Sequence, residues 1–253
     1  MLRTRVIPAL LLRDESLVKT RRFGPYTYVG DPCNTVRIFN ELEVDELLVL
    51  DIRATPERRG PNLALLGDLA SECFMPLGYG GGIRSVEEAA AILDVGVEKV
   101  VVNTAALEEP ALVGALAERF GSQAVVASID VGRGWLGRPR VHTRGGRQRT
   151  WLEPVAWAQE LERRGAGEIL LTAIDREGTW RGFDLPLVHA VASAVSIPVI
   201  AHGGAASVAD IGAVVREGGA SAVALGSMVV FQKQGMGVLV NFPDAGALRE
   251  VLR

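Results

Sequence analysis

The chain has 253 residues, 48% hydrophobic and 23% charged, with a formal net charge of −3. That is enough apolar material for one large α/β barrel or two small domains, and the mild negative balance argues against nucleic acid or an anionic membrane as partner. The two cysteines, Cys33 and Cys73, form neither a metal-type nor a CxxC spacing, so a reducing cytoplasm is the simplest setting and no metal or cofactor is expected. No targeting segment is evident: Arg3 and Arg5 flank a short apolar run holding Pro8, and Arg13-Asp14-Glu15 ends it. No apolar run is long enough to span a bilayer.

In chain order, apolar runs of strand length fall at residues 5–10, 46–52, 75–79, 99–103, 124–130, 168–174, 198–201 and 222–225. Such near-continuous runs suit parallel strands buried on both faces. Helix-period segments lie between them, for example 86–95, where Ser85 and Glu88 have capping-box spacing. Eight β/α units in about 250 residues match a closed (β/α)8 barrel. A doubly wound sheet would need a G-x-G-x-x-G turn after its first strand, and none is there. The expectation is a single barrel domain over residues 1–253.

Two segments interrupt the pattern. Residues 13–31 are long for a βα connection and read as a lid-like loop. Residues 131–150 are rich in glycine and arginine and, with Trp135 and Val141-His142-Thr143, read as a hairpin insertion. Its arginines lack interleaved aromatics, so a solvated or partner-contacting face is favoured over nucleic acid.

The two halves of the chain repeat at an offset of 122. Pro76 falls on Pro198, Gly81-Gly82 on Gly203-Gly204, Ser85-Val86 on Ser207-Val208, and Glu46-Leu47-Leu48 on Glu168-Ile169-Leu170. An ungapped register through strand, loop and helix predicts two duplicated half-barrels.

The glycine loops are candidate anion sites. Gly80-Gly81-Gly82 and His202-Gly203-Gly204 each follow a strand and precede a helix, and glycines let backbone N–H groups approach an anion. Asn103-Thr104 and Gly226-Ser227 end the next strand in each half and could add donors. Symmetric loops suggest a ligand with a phosphate at each end; tight βα turns are the alternative. Asp130 ends an inner strand, where barrels place catalytic groups, and is the candidate acid/base. Asp51 also ends a strand and reads better as a structural partner of an arginine or of Lys19. Lys19 itself reads either as a phosphate ligand or as a solvated lid residue. His202 could donate to a phosphate, act as an acid/base, or simply occupy the turn. At the opposite mouth, Arg5, Glu46, Lys99 and Glu168 stand at strand starts and could close that end with an ion-pair ring.

These residues carry a resemblance over about residues 1–230. Arg5-Val6-Ile7-Pro8, Val18-Lys19, Gly30-Asp31-Pro32, Asp45-Glu46-Leu47, Leu50-Asp51-Ile52, Gly80-Gly81-Gly82-Ile83, Asn103-Thr104-Ala105, Gly121-Ser122-Gln123-Ala124-Val125, Gly165-Ala166-Gly167-Glu168-Ile169-Leu170-Leu171-Thr172 and Ile174-Asp175-Arg176-Glu177-Gly178-Thr179 resemble the cyclase (HisF-type) subunit of imidazole glycerol phosphate synthase. The resemblance implies a (β/α)8 barrel in a heterodimer with a glutaminase. Ammonia would enter through a charged gate of Arg5, Glu46, Lys99 and Glu168 and react with a bis-phosphorylated ribonucleotide. Thr172 then joins Lys19, the glycines and their neighbours as candidate substrate ligands.

The sequence departs from that family where chemistry matters. Of two acid/base aspartates one matches Asp130, but the other falls on Leu11; Ala9, His202 and Glu177 stand where a cysteine, a serine and an aspartate are usual. Leucine transfers no proton, and losing one member of a catalytic pair costs orders of magnitude in rate. Leu10-Leu11-Leu12, Leu17-Val18-Lys19-Thr20, Glu72-Cys73-Phe74-Met75-Pro76 and Asn241-Phe242-Pro243-Asp244 are similar to a divergent branch, the acetamidino-sugar modification proteins of surface-polysaccharide pathways. That branch implies an ammonia-channelling barrel working with a glutaminase and a separate amidotransferase on a nucleotide-sugar. The alternatives are a true cyclase of histidine biosynthesis, and a non-catalytic scaffold that stimulates a glutaminase.

Overall fold

The computed structural model describes residues 4–134 and 137–252; Arg3 and Trp135 lie outside the described residues. In chain order the first half holds β1 (Arg5–Arg13), β2 (Ser16–Thr20), β3 (Tyr26–Gly30), α1 (Pro32–Glu41), β4 (Leu47–Asp51), α2 (Leu63–Glu72), β5 (Leu77–Gly80), α3 (Val86–Asp94), β6 (Lys99–Val102), α4 (Thr104–Glu108) and α5 (Leu112–Phe120). The second holds β7 (Val125–Arg133), β8 (Pro139–Thr143), β9 (Gln148–Arg149), α6 (Pro154–Arg163), β10 (Glu168–Ala173), α7 (Leu185–Ala192), β11 (Val199–His202), α8 (Val208–Arg216), β12 (Ala222–Leu225), α9 (Ser227–Val230) and α10 (Ala245–Val251).

Eight of these strands pair in parallel in the order β1-β4-β5-β6-β7-β10-β11-β12. The ring closes where Arg5–Pro8 of β1 pair with Ala222–Leu225 of β12. With helices between successive strands, this is a (β/α)8 barrel.

Strand periodicity sorts the side chains. Ile7, Ala9, Leu48, Val101, Val126, Leu170, Ile200 and Ala222 fill the barrel interior. Val6, Leu10, Leu12, Leu47 and Val49, one residue out of phase, join the larger core between strands and helices. Leu11 shares the inward phase of Ile7 and Ala9, which aims it at the upper mouth.

The interruptions take regular form. β1 runs three residues beyond the predicted 5–10, because β2 pairs antiparallel with its end (Leu11↔Val18, Leu12↔Leu17, Arg13↔Ser16) and β3 pairs with β2. The segment predicted as a loop at 13–31 is therefore largely a sheet extension, and the apolar Leu17, Val18 and Val29 bury it. In the insertion, β7 continues to Arg133 and pairs with β8 (Asp130↔His142), which pairs with β9; this is a hairpin.

The repeat offset is visible in the helix caps. Ser85 Oγ accepts from Glu88 N at 3.2 Å and Ser207 Oγ from Asp210 N at 3.3 Å. Only α8 completes the reciprocal box, through Asp210. Glu88 instead accepts from Arg84 N and from the Arg84 guanidinium, a stronger charged partner one residue upstream.

Candidate functional site

A cavity of about 220 Å³ opens at the C-terminal mouth of the barrel. Its floor and walls come from strand ends: Leu11, Leu50, Gly80, Val101, Asp130, Thr172 and His202. Leu11 is 6% exposed and faces Leu50 in register, so one wall is apolar. The carboxylates lining the cavity are Asp51 and Asp130.

Asp130 is buried, and its Oδ2 accepts from Asn103 Nδ2 at 3.1 Å. Burial pushes its carboxyl up to about 7, against a smaller lowering by the Thr172 hydroxyl. A carboxyl half-ionised near neutrality suits proton transfer. Asp130 and Thr172 sit side by side in register across β7 and β10. Thr172 Oγ1 in turn lies 3.1 Å from His202 Nδ1. Burial, with the nearby Lys19 cation, depresses His202 to about 3, so its imidazole is neutral. A polar chain Asn103–Asp130–Thr172–His202 thus crosses the cavity opposite the leucine wall.

Asp51 has a structural arrangement. Its Oδ1 accepts from Arg53 N and Ala54 N at 2.8 and 2.9 Å, and its Oδ2 lies 3.8 Å from Arg59 Nη1. Of the two partners expected for it, the arginine is found and Lys19 is not.

The first glycine loop borders this cavity together with Asn103 and Thr104. Gly81 has φ +131°, and a Cβ there would stand 2.6 Å from Asp51 O, so only glycine fits. Gly82 N donates to Thr55 Oγ1 at 3.2 Å. Thr104 Oγ1 accepts from Arg144 N at 2.9 Å, which ties the β8–β9 turn to the cavity rim.

The second glycine loop lines a separate, much smaller cavity of about 10 Å³ with Lys19, Glu177, Gly226 and Ser227; His202 borders both. Gly203 is the counterpart of Gly81, with φ +96° and Ala173 O 2.8 Å from a would-be Cβ. Lys19 is no solvated lid residue: it is 5% exposed, pairs with Glu177, and donates to Thr20 O at 3.0 Å. Burial pushes its ammonium down to about 7. The candidates Lys19, His202, Gly203, Gly204, Gly226 and Ser227 are thus together, while Gly81, Gly82, Asn103, Thr104, Asp130 and Thr172 belong to the larger cavity.

The four charged residues of the opposite mouth meet. Arg5 Nη1 lies 2.5 Å from Glu46 Oε2 and Arg5 Nη2 2.9 Å from Glu168 Oε1. Lys99 Nζ lies 2.9 Å from Glu46 and 3.4 Å from Glu168. Two cations each share both anions, and the apolar barrel interior separates this ring from the upper cavity.

Sequence reasoning missed several residues. Glu177 was noted only as a departure from a pattern, and Thr55 not at all. Arg13 and Tyr26, which line the larger cavity with the guanidinium 3.9 Å from the ring centroid, gave no motif. Arg13 is two residues from Leu11 on one strand, and that period was the available signal.

Known proteins bear on this architecture. The family profile described as "Histidine biosynthesis protein" matches residues 5–234. A Pseudomonas aeruginosa protein provisionally named imidazole glycerol phosphate synthase subunit hisF2 is 50% identical over 98% of this chain and 99% of its own length. A Leptospira borgpetersenii protein, provisionally named imidazole glycerol phosphate synthase subunit HisF, is 43% identical over 100% and 99%. The imidazole glycerol phosphate synthase subunit HisF of Hyphomonas neptunium is 48% identical over 91% of both chains. With the profile spanning nearly the whole barrel and such relatives matching end to end, the chain belongs to the histidine biosynthesis protein family, among its HisF-type members.

Proposed function

We propose that this barrel channels ammonia from a glutaminase partner, and that its chemistry serves amidination of a sugar acetamido group rather than imidazole ring closure. The observation that carries this reading is Leu11. It stands in the cavity wall, in register with Leu50 and across from the Asn103–Asp130–Thr172–His202 chain. A reaction that needs two positioned carboxylates has one here, Asp130, because Asp51 is committed to Arg59 and two backbone amides. The ring of Arg5, Glu46, Lys99 and Glu168 supports ammonia entry from the opposite mouth, where a glutaminase would dock. The glycine loop with Asn103 and Thr104 supports a phosphoryl-bearing ligand at the upper mouth. A separate amidotransferase would form the amidine by adding ammonia to the acetamido carbon, the carbonyl oxygen first being activated by a nucleoside triphosphate and leaving as a phosphoryl ester.

The names of the relatives favour a second reading, a cyclase converting the bis-phosphorylated aminoimidazole carboxamide ribonucleotide and ammonia to imidazole glycerol phosphate. Steady-state consumption of that ribonucleotide by the pure chain in excess ammonium separates the two. Amidination predicts no turnover; robust turnover would establish the cyclase. Glutaminase stimulation unaffected by Asp130→Asn and without ammonia transfer would instead indicate a scaffold.

A further inference from the structure

One face of the β1–β2–β3 extension ends in a flat, cationic platform at the cavity mouth. Side chains alternate along a strand, so Leu11 and Arg13 point the same way. Val18 stands opposite Leu11 and Thr20 opposite Tyr26, which puts Arg13, Thr20 and Tyr26 on the side that continues the Leu11–Leu50 wall. The Arg13 guanidinium lies 3.9 Å from the centre of the Tyr26 ring. Tyr26 is 49% exposed, so its ring stays half uncovered although it lines a concave site. A planar guanidinium on an aromatic ring presents a surface that a further flat ring extends by stacking.

The charges around this platform are unbalanced. Arg13, Arg53 and Arg147 line the cavity, against the carboxylates Asp51 and Asp130. Arg53 is paired with Glu57, and Asp51 with Arg59 and two backbone amides. Arg13 has the exposed Asp14 at 4.0 Å, and Arg147 is exposed with no ion pair among the described residues. Strand order then sets these features in sequence around the mouth. Arg13 ends β1, Arg53 follows β4, Gly81 and Gly82 follow β5, and Asn103 and Thr104 follow β6; the four strands are neighbours in the sheet. Platform and first glycine loop are thus two strands apart, with a guanidinium between them. A ligand lying across them meets a ring-binding surface, then a cation, then backbone donors.

We propose that Arg13 and Tyr26 are specificity-determining residues, a stacking platform for the heterocyclic base of a nucleotide whose phosphoryl groups reach the first glycine loop. Stacking uses the face of the base and not its hydrogen-bonding edge, so purines and pyrimidines are both accepted. This rests on the reading of the first glycine loop as a phosphoryl cradle, and it narrows the ligand of that loop to a nucleotide, the class to which a nucleotide-sugar belongs.

The test is calorimetric titration of the intact chain with uridine diphosphate, adenosine diphosphate and inorganic pyrophosphate, the last being a probe that keeps the phosphoryl groups and lacks the ring. Both nucleotides should bind the wild type at least about tenfold more tightly than pyrophosphate. Tyr26→Ala should remove that preference and leave pyrophosphate binding unchanged, while Tyr26→Phe, which keeps the ring, should retain it. Tyr26 is half exposed on the outermost strand of the extension, and circular dichroism checks that each variant is folded. The proposal is overturned if the wild type binds nucleotides no more tightly than pyrophosphate, if the preference survives in Tyr26→Ala, or if that variant weakens pyrophosphate equally. A wild type that binds the nucleotides in a Tyr26-dependent way but not pyrophosphate would defeat the cradle reading of the glycine loop and leave the platform standing. Pyrophosphate binding with no nucleotide preference would do the reverse.

Discussion

Leu11 on β1 and Leu50 on β4 lie in register and form an apolar wall directly within the cavity that holds Asp130. A carboxylate at position 11 would have an aliphatic neighbour in register and little solvent, since Leu11 is 6% exposed. Leu11→Asp should therefore destabilise the fold by about 2–4 kcal/mol at pH 8. The loss should shrink at pH 5, where the new carboxyl is protonated. Urea midpoints at the two pH values check this; an equal loss at both would mean the new side chain reaches water.

Asp130 gives the opposite experiment. Its carboxyl titrates near 7 folded and near 3.8 unfolded. As pH rises from about 4 to 7 the unfolded chain releases this proton while the folded chain keeps it, so this group lowers stability over that window. Asp130→Asn should remove the loss and leave the variant more stable than wild type above pH 7, by on the order of 1–3 kcal/mol. Ammonia-dependent product formation should meanwhile fall by about 10²-fold or more. Unchanged product formation would remove Asp130 from the acid/base role.

His202 works in the other direction. Its folded value of about 3 lies below the usual 6.5, so the unfolded chain binds the proton first as pH falls. The stability associated with its neutral form is complete above about pH 6.5 and is lost progressively toward pH 3. His202→Gln keeps a polar partner for Thr172 and should flatten the acid limb of a stability–pH curve between pH 6.5 and 4. A curve parallel to wild type would show that His202 is not buried in its neutral form.

At the lower mouth, Lys99→Ala leaves Glu46 and Glu168 to share Arg5 alone. Because Glu46 is 2% exposed, the change should cost about 1–3 kcal/mol of stability. Coupled product per glutamine consumed should fall if the ring governs ammonia entry. The same ratio in variant and wild type would make the ring purely structural.

Gly81→Ala tests the loop geometry. The residue has φ +131° and Asp51 O stands 2.6 Å from the added methyl, so a loss of about 1–3 kcal/mol is expected. Calorimetric melting of the variant beside Gly67→Ala, where nothing lies within 4 Å of a Cβ, isolates the local strain.

Much of this molecule is written in local pattern. Runs of strand length and Ser85 and Ser207 as helix caps depend on residues a few positions apart, and the 122-residue repeat writes them twice, so the chain itself specifies the barrel and the sites of its loops. The identities of Leu11 and Asp130 likewise stand in the sequence, and with them the asymmetry of the cavity. What needed the tertiary structure is which polar groups find each other. Lys19 meets Glu177, Thr172 meets His202, and Asn103 meets Asp130, at separations from 27 to 158 positions. Such pairings leave no periodic trace, because the energy of a buried charge depends on what surrounds it in space rather than along the chain. The same physics made Lys19 ambiguous as a sequence feature: a lysine in a long connection reads as solvated until the β1–β2–β3 extension buries it against a carboxylate.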